Sequence, residues 1–224
     1  MKGPGIRIID LGIIDFREAC SVQERHVREI LLGEDRTDRL LLLEHEPVVT
    51  FGRIGDENNI LDREYFVSAG YDIVVSERGG RITCHMPGQL VIYPILDLRR
   101  IKKDISYYID LLEECVIRSL GRLGVKACRA PGKRGVWTER GKIAFIGVKG
   151  KNWITYHGVA VNINNDTEPY TRINPCGIKG VQVTSARKMR GRPLDMKMTK
   201  RVFSSVFRDV FVRERKERYH GTEA

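Results

Sequence analysis

No stretch of this 224-residue chain approaches the roughly 20 consecutive apolar residues that a membrane helix needs. A membrane-spanning role is therefore not expected. The first residues are followed by a short apolar run that contains Arg7 and Asp10, and they do not read as a secretory signal. Cysteine is scarce: Cys20, Cys84, Cys115, Cys128 and Cys176 are an odd number at unrelated spacings. Neither a disulfide framework nor a zinc site follows from them, so reduced thiols in the cytoplasm are the expectation. Phosphate loops are missing too. Gly135 precedes Gly141-Lys142 with one residue too many between them, and Ile143 stands where Ser or Thr would hold magnesium. No G-x-G-x-x-G opens a helix, and His45-Glu46 is not the start of H-E-x-x-H. Repeats, low-complexity segments and Ser/Pro linkers are also lacking, which leaves one domain over residues 1–224 as the expectation.

The chain is rich in basic charge. Thirty-nine Lys and Arg against 29 Asp and Glu leave a formal net charge of +10. Such a surface attracts nucleic acid, anionic membrane or acidic proteins, and charge alone does not choose among them. No zinc finger, RNP-like strand or helix-turn-helix signature supports nucleic acid.

Periodicity gives the coarse organisation. Residues 6–12 read as a first strand. Asp15-x-x-Glu18 has the form of a capping box, helical spacing follows, and Gly33 is a stop. Residues 40–43 are wholly apolar and read as a buried strand. A short helix over 62–69, strands over 73–75 and 90–98, and a long helix over 104–123 come next. Pieces at 125–129, 135–138, 142–148 and 154–162, with turns at 139–141 and 149–151, suggest a meander. A last helix from about Thr199 carries the stripe Val202, Phe203, Val206, Phe207, Val210 and Phe211, which reads as core packing. Helices and strands mix without strict βαβ alternation, so the fold class is α/β of mixed (α+β) kind, a mixed sheet packed with helices.

Four places carry chemistry. Pro175-Cys176-Gly177 holds a thiol on a stiff, exposed turn, a fitting place for a nucleophile, although a cysteine taken alone is more often a small buried hydrophobe. The run from Arg78-Gly79-Gly80 to Pro87-Gly88-Gln89 lets backbone approach a ligand closely. From composition alone it reads as a glycine-rich hairpin with a solvated arginine. Lys142 enters the apolar run Ile143-Ala144-Phe145-Ile146-Gly147. Most lysines beside turns are solvated, but a stem laid along such a strand is partly desolvated. An ammonium next to a thiol favours the thiolate, so a meeting of Lys142 with Cys176 would make a coupled pair. His45 and His157 read as hydrogen-bonded strand histidines.

Taken together, these stretches resemble the octanoyltransferase (lipoyl/octanoyl transferase) family of lipoate biosynthesis. The match is carried by Leu41-Leu42-Leu43-Glu44-His45-Glu46-Pro47-Val48-Val49-Thr50-Phe51-Gly52-Arg53, by Arg78-Gly79-Gly80 through His85 to Leu90, by Gly141-Lys142-Ile143-Ala144 with Ile146-Gly147, by residues 155–162, and by Pro175-Cys176-Gly177-Ile178. Cys84, Met86 and Phe145 depart from the family pattern of tyrosine, glycine and a small residue. The resemblance implies a fold like that of lipoate and biotin protein ligases. It makes Cys176 the acyl-thioester nucleophile and Lys142 the residue that activates it. It places Arg78, Gly79, Gly80, Arg81, Ile82, Thr83, Cys84, His85, Phe145, Ile146, Gly147, Gly158, Val159 and Ala160 along the acyl site. The implied donor is octanoyl-acyl carrier protein. The implied acceptors are lysines on lipoyl domains of 2-oxoacid dehydrogenases and on the glycine cleavage H protein. No ATP, metal or other cofactor is expected. Arg129, Lys133 and Arg134, or Arg187, Lys188, Arg190 and Arg192, are candidates to steer acidic partners, or else plain solvated charges. A lipoate-protein ligase or an octanoyl amidotransferase on the same scaffold is the alternative.

Overall fold

The computed structural model describes residues 5–220; the reading of residues 1–4 as no secretory leader lies outside them. Strand β1 (Ile6–Ile14) leads to helix α1 (Phe16–Leu32), then β2 (Asp38–His45), β3 (Val48–Phe51), α2 (Arg63–Ser68), β4 (Asp72–Val75), β5 (Ile82–His85) and β6 (Gln89–Ile95). Helix α3 (Ile105–Arg122) is followed by β7 (Cys128–Ala130), β8 (Lys133–Thr138), β9 (Gly141–Lys151) and β10 (Ile154–Asn162). Helices α4 (Ala186–Arg190) and α5 (Met196–His220) close the chain. The result is one mixed α/β domain. Among the described residues no helix is long and apolar enough to cross a membrane.

Seven strands form the main sheet in the order β1-β2-β6-β10-β9-β8-β7. Only β1 and β2 run parallel in it; the other pairings are antiparallel. The run of four leucines in β2 is explained by cover on both faces. Leu40 and Leu42 meet the core built by α3 and α5, while Leu41 and Leu43 meet the core under α1. Helix α1 begins where Asp15 accepts the backbone N–H groups of Arg17 and Glu18, and it ends at Gly33 in the left-handed region. The aromatic stripe of α5 is core: Phe203, Val206, Phe207, Val210 and Phe211 are buried, and Val202 packs beside them.

Two features differ from the sequence expectation. Strands β3, β4 and β5 make a separate three-stranded sheet, β4-β3-β5. The glycine-rich run is therefore no hairpin. Strand β5 pairs with β3, while β6 joins the main sheet, and the turn between them passes the chain from one sheet to the other. Local periodicity does not show this, because β3 and β5 are four residues each and carry Thr50, Thr83 and His85 among their apolar residues. The β9–β10 turn also falls later than expected. Its two residues, Asn152 and Trp153, both have positive φ (49° and 68°), as a two-residue hairpin requires.

Candidate active site

A cleft opens where the two sheets meet. The space between its walls, open solvent included, is about 450 Å³. Arg78, Gly80, Arg81, Ile82, Thr83 and His85 come from the small sheet and the loop before it. Phe145, Ile146, Gly147, Gly158, Val159 and Ala160 come from β9 and β10, and Cys176 stands in its wall. The stretches singled out from sequence thus converge, although they are far apart along the chain. Gly79 and Cys84 do not line it. Gly79 is spent on packing: its N–H donates to the Val148 carbonyl at 3.0 Å, and a Cβ there would lie 2.8 Å from that oxygen. Cys84 is fully buried on the opposite side of its strand, among Phe66, Met86 and Tyr170. Thr83 and His85 line the cleft, while the Cys84 side chain between them turns into that cluster.

Cys176 sits at the centre of a tight turn, Pro175–Gly177, with φ 58° and ψ 16°. A non-glycine residue in this region costs of order 1 kcal/mol. The turn is held from both sides. Gly177 N–H donates to Asn174 O at 2.9 Å, and Asn174 N–H donates to Asn59 O at 2.8 Å. The thiol is half-buried rather than exposed, because the turn leans on the apolar cluster of Phe51, Phe66, Phe145 and Tyr170.

Lys142 is buried at the start of β9, 3% exposed. Its backbone is pinned by bonds to Gln182 and Thr184. Its Nζ donates to Arg134 O at 2.7 Å and lies 3.5 Å from Cys176 Sγ. The rings of Trp137 and Phe145 flank the ammonium at 5.2 and 5.1 Å. Thiol and amine, distant in sequence, therefore form a pair.

Arg78 is not solvated. It is buried, and its guanidinium donates to Thr50 Oγ1, Thr50 O, Gly79 O and Arg81 O. No carboxylate pairs with it among the described residues. Burial draws its pKa down to about 10, so it stays cationic at neutral pH. An uncompensated cation thus lines the cleft beside the thiol.

Val91, Tyr93 and His157 line the inner wall and were not expected there. Period-two alternation along β6 marks Val91 and Tyr93 as one face, but it cannot say what that face meets. His157 belongs to a buried aromatic group with Phe16, Tyr93, His45 and His85. His45 is bonded on both ring nitrogens, to Ile14 O at 3.0 Å and to Tyr93 Oη at 2.8 Å. Burial pushes His45 down to about 4, His157 down to about 3, and His85 well below the usual histidine range. All three are neutral at pH 7.

Of the basic residues considered for docking, Arg129 and Arg134 are paired with carboxylates. Arg129 reaches Glu113 and Glu114, and Arg134 reaches Asp110, all on α3. Arg190 donates to the Leu123 carbonyl, and Lys188 to Thr167.

Known proteins resemble both the sequence and the fold. The family described as lipoyl protein ligase A/B catalytic domain matches residues 15–208. The octanoyltransferase of Geotalea uraniireducens is 48% identical over 180 residues, 80% of this chain and 81% of that protein. The octanoyltransferase of Maridesulfovibrio salexigens is 39% identical over 207 residues, 92% of this chain and 96% of that protein. A lipoate-protein ligase A solved with ATP superposes with a TM-score of 0.71 at 14% identity, over 93% of this chain and 85% of the other, a likeness of fold. The chain belongs to the lipoyl protein ligase A/B catalytic domain family and, within it, to the octanoyltransferases.

Proposed function

We propose that this acyltransferase moves an octanoyl group from acyl carrier protein to a lysine of a lipoyl domain, through a thioester on Cys176. The observation that carries the reading is the 3.5 Å approach of Lys142 Nζ to Cys176 Sγ at the wall of a largely apolar cleft.

A free thiol near pKa ~8.5 is only a few per cent thiolate at neutral pH. Lys142 Nζ lies 3.5 Å from the sulfur, and Arg78 lines the same cleft. The thiolate attacks the carrier thioester carbonyl, and a carbon–sulfur bond to Cys176 forms. The bond to pantetheine then breaks, and the departing sulfur takes a proton from the Lys142 ammonium. Neutral Lys142 next accepts a proton from the incoming lysine amine as that nitrogen attacks the Cys176 thioester. Collapse yields the amide, restores the thiolate and leaves Lys142 protonated. Thioester to amide is downhill, so the reading needs neither ATP nor metal. Ile82, Phe145, Ile146, Val159 and Ala160 suit the hydrocarbon tail.

Intact-mass measurement after mixing with octanoyl-acyl carrier protein tests this. Expected is a gain of one octanoyl group, removed by hydroxylamine and absent in Cys176→Ser. Lys142→Ala should lower transfer by about 10²–10⁴-fold while leaving the fold intact. Product that forms from free acid and ATP, with no acyl-enzyme, would instead assign a ligase. Acyl gain from an octanoylated lipoyl protein but not from carrier protein would assign an amidotransferase.

A further inference from the structure

The peptide group joining Arg134 to Gly135 lies between two opposite charges. Its carbonyl accepts from Lys142 Nζ at 2.7 Å, and its N–H donates to Glu113 Oε1 at 2.9 Å. Glu113 projects from α3 and is only 3% exposed. Its other oxygen takes Arg129 Nε at 3.2 Å and lies 3.8 Å from Arg134. Burying a carboxylate is costly unless it is paired and bonded. Here both conditions are met, and one of the bonds goes to the amide that holds the catalytic ammonium.

The two bonds reinforce each other. An amide whose N–H donates to a carboxylate has a more negative carbonyl oxygen and is a stronger acceptor for a cation. Among the described residues, the Arg134 carbonyl is the one oxygen acceptor of Lys142 Nζ. Its direction therefore decides where the ammonium points. Position 135 must be glycine for this contact. Its φ is +103°, and a Cβ there would lie 2.8 Å from Lys142 Cε, 3.0 Å from Nζ and 2.5 Å from Ala144 O. Turning that peptide away would leave Lys142 free to swing off the sulfur.

We infer that Glu113 is a positioning residue for the Lys142–Cys176 pair, acting through the peptide group between residues 134 and 135. The carbonyl keeps one N–H of Lys142 in both protonation states. In the neutral amine this leaves the nitrogen lone pair free on the side of Cys176. The consequence for turnover rests on the proposed acyl transfer, but the positioning itself does not.

The test follows alkylation of Cys176 by iodoacetamide against pH, with peptide mass mapping to separate it from Cys20 and Cys128. Wild type is compared with Lys142→Ala, Glu113→Gln and Arg129→Gln. Glu113→Gln can keep an acceptor for Gly135 N–H, but it removes the charge and the acceptor that faces Arg129. Expected is a displacement of the Glu113→Gln profile to higher pH by roughly half a unit or more, in the same sense as Lys142→Ala. Arg129→Gln, which loses an ion pair without touching the peptide, should overlay wild type. If Glu113→Gln also overlays wild type while Lys142→Ala does not, the inference is wrong and the acyl-transfer reading is untouched. Equal displacement in Glu113→Gln and Arg129→Gln would show a structural role alone and overturn it as well. If even Lys142→Ala leaves the profile unmoved, the amine and thiol are uncoupled, and both the positioning and the proposed part of Lys142 in transfer fall. Acyl-enzyme formation measured separately keeps the role of Cys176 distinct from either result.

Discussion

Phe145 belongs to three contacts at once. Its ring stacks on Tyr170 at 4.8 Å and 4°, it flanks the Lys142 ammonium at 5.1 Å, and it walls the cleft. In the proposed transfer, this ring takes up space that an acyl tail would otherwise fill. Phe145→Ala should shift preference toward longer chains, raising dodecanoyl over octanoyl transfer by about tenfold in a competition followed by mass. An unchanged ratio would mean that the tail does not pass this ring. At this scale Pro-Cys-Gly, Arg-Gly-Gly and the lysine entering an apolar strand marked stretches that converge on the cleft, but composition alone read Arg78 as solvated, and only the family resemblance joined them into one site. Trp137 and the Arg134 carbonyl could not, because they act through a backbone oxygen and a ring face with no sequence pattern. Glu113 falls in the same class: on the helix it is one of several carboxylates, beside Glu114 and one turn after Asp110, and its partner lies on another element.

Helices were the most legible elements, since their ends carry chemistry of their own. Asp15, Asp62 and Asp104 each accept backbone N–H groups at the start of a helix, and the apolar faces that follow repeat at helical spacing. The C-terminal helix α5 shows how much such a face is worth. Phe207 is 3% exposed and its ring lies 4.3 Å from that of Phe211. Phe207→Ala should cost about 3–5 kcal/mol in urea unfolding, through lost transfer and a cavity. Arg208→Ala, on the exposed side of the same turn, should stay within about 0.5 kcal/mol. Equal losses at both would contradict the core reading of the stripe. The short strands β3 and β5 were illegible for the converse reason. Four residues hold too little periodicity, and what makes them strands is pairing with each other.

Across the whole molecule, acid should be destabilising before the carboxylates titrate. His45 and His157 have folded values of about 4 and about 3 against 6.5 for the free side chain, with burial as the first cause. Their folded pKa is depressed, so between those values the unfolded chain binds more protons than the native one. Stability is therefore full above about pH 6.5 and falls as pH drops toward the folded values, with about 3 kcal/mol at stake for His45 alone. His85 shifts in the same direction. Urea midpoints should fall between about pH 7.5 and about pH 5, a window in which carboxylates change little. A flat midpoint there would mean that these rings are solvated. The +10 net charge adds self-repulsion as further protons bind.

Sequence alone determined the reaction family, the nucleophile candidate and most of the helical scaffold. Each of these is written in local residue order, as a motif, a cap or a period. Tertiary structure decided which strands form the second sheet, which side of β5 faces the cleft, and that the thiol at 176 meets the amine at 142. It also decided that Arg129 and Arg134 are paired with carboxylates, because that depends on α3 packing beside them. Pairing between distant segments leaves no local trace, since the free energy that selects a partner is gained only when both are already in place.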